Sequence, residues 1–300
     1  MTGMERRFIK NRLKVHPRQL VISVMNFPPR RFRLATLLVT ILLANELQRD
    51  SPCMGESAIK QCDARESSGI PTAFAFENLL MAPLRIHLLS STEKPGISTT
   101  LVDSDMERII SKVNRIWLQA GIQFYIESIV HEAPTASNGP RHRADLGWLL
   151  GLIPEQSYHQ GAFNLYYIKE FAVNGVFLGK AIFVKETASL HTVESGIDEP
   201  IPRVTSHELG HALGLAHRQD QINLMASGTS GILLNSKEVE RSRAEAGQIA
   251  WFHRAPDLLA KAQEYQRTGN KSEARLIYNR LATVLREGEL FDRIRRLAGD

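Results

Sequence analysis

From residue 84 onward, apolar and polar positions alternate with two different periods along the chain. The stretch 84–90 is apolar enough for a strand, and 122–130 alternates with the two-residue period of one. Between them, Met106, Ile109, Ile110, Val113, Ile116, Trp117 and Ala120 recur at helical spacing, which predicts a helix over 100–120 ending at Gly121. Pro, Ser, Asn and Gly make 133–143 a loop, and 145–153 reads as a short helix. Strands are expected over 163–168 and 176–184. Beyond these the pattern turns helical: 236–249 with a cap at Asn235 or Ser236, a hairpin of 257–267 and 272–286 around Gly269-Asn270, and 288–297. A strand, long helix, strand opening followed by further strands and then helices predicts a mixed α/β (α+β) fold.

Candidate chemistry is concentrated in His207-Glu208-Leu209-Gly210-His211-Ala212-Leu213-Gly214-Leu215-Ala216-His217. His207 and His211, four apart on a helix, project from one face and can share one ion. A continuous helix would carry His217 nearly three turns away, so the helix must break. Gly214 is the break, because glycine enters the left-handed conformation without a steric penalty. Three histidine ligands leave one tetrahedral position of a Zn2+ ion to water, the mark of a catalytic rather than a structural site. Glu208 beside them is the candidate general base.

This run resembles the long zinc signature of the metzincin metallopeptidases, and Met225 stands eight residues after the last histidine, like their Met-turn methionine. The resemblance implies a zincin-like catalytic domain with a mixed twisted sheet and an active-site helix. It also implies His207, His211 and His217 as ligands of one catalytic zinc, Glu208 as base and Met225 as the apolar floor. It further places the cleft-edging strand at 179–184, which from its residues reads equally well as an interior strand, and a pocket-shaping segment at 226–232. Spacing is closest to the matrixins, but Arg218 stands where they carry serine and reprolysins carry aspartate, so the subfamily is unassigned. Ser227 stands where astacins and serralysins carry tyrosine, so no fifth ligand is expected. The other histidines (His16, His87, His131, His142, His159, His191 and His253) lack ligand spacing and are assigned surface or core roles.

Composition changes this picture mainly at the N-terminus. The chain has 43% hydrophobic and 23% charged residues, ordinary for a globular core. Of its net charge of +5, residues 1–33 carry +8, so nothing calls for nucleic acid as a partner. Arg30-Arg31-Phe32-Arg33 precedes an eleven-residue apolar run at 34–44, the layout of an export signal. The basic flank favours export over a buried core helix, and two forms of export stay open there, a cleaved signal peptide and an uncleaved membrane anchor. Either predicts an exported protein, secreted or associated with the cell envelope.

Residues 1–24 read as an over-extended start, 25–50 as the signal or anchor, 51–83 as a linker, 84–252 as the catalytic domain and 253–300 as a helical extension. Cys53 and Cys62 lie in the linker, and one disulfide and two free thiols both stay open. Ser51-Pro52-Cys53-Met54-Gly55 lacks most of the matrixin latency motif. In the tail, Ala262, Tyr265, Gly269, Ala274 and Tyr278 resemble one tetratricopeptide repeat, too little to bury both its faces, so it either packs on the catalytic domain or meets a protein partner. The expected activity is zinc-dependent endoproteolysis of protein or peptide substrates. The alternative is a catalytically silent zinc-binding module that acts through its helical tail.

Overall fold

The computed structural model describes residues 74–135, 145–285 and 288–299, all within one compact unit, Arg65–Asp300. The expected leader, the apolar run at 34–44 and both cysteines lie outside the described residues. Among the described residues no helix is long and apolar enough to cross a membrane.

The fold is mixed α/β. It opens with β1 (Leu80–Leu89), α1 (Asp103–Trp117) and β2 (Ile122–Glu132). α1 buries the expected apolar stripe but is shorter than 100–120. Asp105 Oδ2 accepts from the Val102 N–H at 3.1 Å and sets its start. At its end the chain tightens into a 3-10 turn, Leu118–Ala120, before Gly121 at φ 62°. The segment 145–153 is likewise a 3-10 turn, Gly147–Leu152, rather than an α-helix. β3 (Phe163–Ile168) has the expected bounds.

The expected single strand over 176–184 is instead a hairpin, β4 (Gly175–Phe177) and β5 (Ala181–Lys185), reversed at Gly179 with φ 72°. Its turn closes with Leu178 N–H donating to the Ala181 carbonyl at 2.9 Å. Periodicity carried the strand through this point because the apolar runs 176–178 and 181–184 lie on either side of Gly179-Lys180; the glycine was the signal of a reversal.

Among the described residues the strands run in the order β2-β1-β3-β5-β4, with β6 (His253–Arg254) paired to the start of β1. β1, β2, β3 and β5 are parallel to one another, while β4 is antiparallel to β5 and β6 antiparallel to β1. β5 is therefore interior, and β4 forms the edge. This corrects the placement of the cleft-edging strand at 179–184.

Alternation along the strands divides the core. Ala82, Leu84, Ile86 and Leu88 of β1 join α1 and α2 (Pro200–Ala212) on one face of the sheet. On the other face, Met81 and Tyr125 meet the tail helices α4 (Ala255–Arg267), α5 (Lys271–Val284) and α6 (Glu289–Ala298). Ala262, Ala274 and Tyr278, read above as repeat-like positions, are buried in that contact. The tail takes the packing alternative, since a two-period sheet has two apolar faces to cover and α1 and α2 cover only one. Between the catalytic helix and the tail, α3 (Ser236–Ala246) starts at Asn235, whose side chain caps the Glu238 N–H at 3.0 Å.

Candidate metal centre

α2 lies on the parallel sheet with ten of its thirteen residues buried. It begins with Pro200, tolerated in a first turn where the missing N–H has no helical partner. It ends in a two-bond reversal: Leu215 N–H reaches the Gly210 carbonyl at 2.9 Å, Gly214 N–H reaches that of His211 at 3.0 Å, and Gly214 takes φ 77°. The chain then doubles back and returns His217 to the face that carries the other two rings.

The three rings converge. His211 Nε2 lies 3.1 Å from both His207 Nε2 and His217 Nε2. Tetrahedral Zn–N bonds of about 2.0–2.1 Å place neighbouring nitrogens about 3.3 Å apart, so the donor set fits one zinc with small adjustments. Among the described residues this is the one cluster of three such side chains that would hold an ion.

The opposite ring nitrogens explain why the Nε2 atoms face inward. His207 Nδ1 donates to the Leu224 carbonyl at 2.8 Å, and His211 Nδ1 donates to that of Leu215 at 2.9 Å. A carbonyl only accepts, so Nδ1 carries the proton and the Nε2 lone pair is left for a metal. Leu215 belongs to the helix-ending turn, so the turn that returns His217 also orients His211. Burial pushes the His207 pKa down to about 3, and the positive charge of Arg203 adds to this. Burial also lowers the His211 pKa. Metal binding requires neutral imidazoles, and these two are held in that form.

Glu208 occupies the next position around α2 and faces β4. Burial pushes its carboxyl pKa up to about 7, against the opposing effects of a hydrogen bond from the Phe177 N–H and the charge of Arg203. It shares a cleft of about 260 Å³ with His207, His217, Gly175, Ser227 and Gly228. Met225 is fully buried against α2, where a Cβ on Gly210 would lie 2.6 Å from its Sδ. Glycine at 210 is thus what allows the methionine under the helix turn bearing His207 and His211.

No family model matches the chain, and no curated protein matches it. Solved structures similar to it include mirolysin, at 12% identity over 55% of this chain and 91% of that one, with a TM-score of 0.40. Archaemetzincin from Methanopyrus kandleri is similar at 16% identity over 56% and 97%, with a TM-score of 0.36. Metalloproteinase-II from Bacteroides fragilis is similar at 15% identity over 55% and 53%, with a TM-score of 0.35.

Several residues around the site escaped the sequence reading. Arg203, 2% exposed and one turn before His207, donates to the carbonyls of Gly231 (3.1 Å) and Ala226, binding α2 to the segment 226–231. A single arginine within a helix carries no signal of such a role. Gly175 lies just before the strand expected over 176–184 and carried none either; in the structure it opens β4, where a glycine marks a close backbone approach. A Cβ there would lie 2.5 Å from Val204 Cγ1 and 2.9 Å from Glu208 Oε1. Gly175→Ala should therefore displace β4 or the Glu208 carboxylate and lower kcat/KM by roughly 10²-fold, with zinc content unchanged. Steady-state kinetics alongside metal analysis checks this. His87, by contrast, is buried outside both the triad and its cleft, stacked on Tyr166 at 4.1 Å and hydrogen-bonded to Glu132 and Asn164.

Proposed function

We propose that this protein is a zinc-dependent endopeptidase of metzincin type, acting on protein or peptide substrates. The observation that carries the reading is the convergence of three Nε2 atoms beside a buried carboxylate, in a cleft bordered by the edge strand. Zinc bound by His207, His211 and His217 would supply Lewis acidity toward the scissile carbonyl and lower the pKa of water.

The chain's own groups account for the rest of the reaction. Glu208, near neutrality in its proton affinity, accepts a proton from the attacking water and delivers it to the leaving amine. The Phe177 N–H holds that carboxylate toward the cleft. In β4, Val176 opposes Phe183, and flanking bonds from Leu178 N–H to Ala181 and from Lys185 N–H to Asn174 fix the ladder. Gly175 and Phe177 therefore turn their backbone groups away from β5. An extended substrate can add along that edge through the Gly175 backbone groups and the Phe177 carbonyl, the Phe177 N–H being taken by Glu208. Holding a substrate by its backbone rather than by a terminal charge is what favours internal bonds.

The test is incubation of the purified protein with unfolded casein, with and without a chelator. Chelator-sensitive fragments with internal cut sites are expected. Absence of cleavage by zinc-loaded protein across many substrates would transfer the function to the silent binding module.

A further inference from the structure

His207 and His211 each have a carbonyl that holds the ring from behind, whereas His217 is exposed and has no such ring partner among the described residues. It also follows a broken helix, so its place must be set by the chain around it. That chain is closed into a loop at Arg218, whose N–H donates to the Met225 carbonyl at 2.9 Å.

One side chain gathers both ends of the loop. Glu238, in the first turn of α3 and 2% exposed, accepts through Oε1 from Arg218 Nε at 2.8 Å. Through Oε2 it accepts from Asn223 Nδ2 at 2.8 Å and from the Asn235 N–H at 2.9 Å. Asn223 Oδ1 in turn accepts from the Met225 N–H at 2.7 Å. A single buried carboxylate thus receives the residue just past the third histidine, the residue two before the methionine, and the cap of its own helix. Charge-assisted bonds of this kind hold geometry more firmly than neutral ones.

We propose that Glu238 is a positioning residue that sets the zinc affinity of the site, with Arg218 as the arm by which it holds His217 among the other rings. The inference rests on zinc binding by the triad, as in the proposed function, and not on the reaction. It also gives a reason for Arg218, the position at which the chain departs from the matrixin and reprolysin patterns: its partner lies twenty residues away on α3.

The test is zinc affinity by competition with a chromophoric chelator, together with thermal melting of the metal-free protein. Arg218→Ala is expected to weaken zinc binding roughly 10- to 100-fold, the usual cost of losing a partner outside the ligand set. Its metal-free melting temperature should stay near that of the parent, because the Arg218 side chain is half exposed. Arg218→Lys should recover part of the affinity, and Glu238→Gln should weaken it at least as much as Arg218→Ala. Affinities for Arg218→Ala within twofold of the parent would overturn the proposal. So would an affinity loss that appears only with unfolding of the metal-free variant. Because the readout is affinity, a parent protein that binds zinc but cleaves nothing counts against the peptidase reading alone.

Discussion

Glu208→Ala is expected to lower kcat/KM on a protein substrate by about 10²–10⁴-fold, the range for losing a positioned general base. Zinc content should stay near one ion per chain. Both halves follow from placement: the carboxylate faces the Phe177 N–H across the cleft, while the Nε2 atoms of the triad face one another. The variant also removes a buried acid whose desolvation already raises its pKa to about 7, so stability should hold or rise slightly. Kinetics paired with metal analysis reads the two effects separately. Loss of zinc with the activity would reassign Glu208 as a ligand.

His217→Ala should do the reverse, removing metal first and activity in consequence. One of three ligands disappears, so zinc binding should weaken by well over the about 100-fold that an outer partner costs. The fold of the metal-free protein should be unaffected, since His217 is exposed and its ring supports no core contact. Chelator competition measures the first effect and melting of the metal-free form the second. An unchanged zinc affinity would mean that the convergence of the three rings has no part in binding.

How much of this was legible differs from element to element. β3 and the apolar stripe of α1 were read closely because their contacts follow a single period over their whole length. The β4–β5 hairpin was missed because apolar runs flank Gly179-Lys180 closely on both sides, and hydrophobicity along the chain does not register a change of direction. That miss moved the cleft edge by one strand, since edge and interior strands differ in their neighbours and only weakly in their own residues. In the site, the three histidines and Glu208 were visible because they fall within eleven residues. Arg203, Gly175, Asn223 and Glu238 were not, because their roles are defined by partners on other elements.

The amino-acid sequence alone determined the donor set, the neighbouring acid and the break in the helix. These depend on the 3.6-residue turn and on the freedom of glycine at φ 77°, both local properties of the backbone. The tertiary structure decided which strand borders the cleft, that the tail covers the β1–β2 part of the second face of the sheet, and which carboxylate restrains the loop past His217. Each of these is a contact between segments far apart in the chain, and such contacts are chosen by the burial and hydrogen bonding of the whole fold.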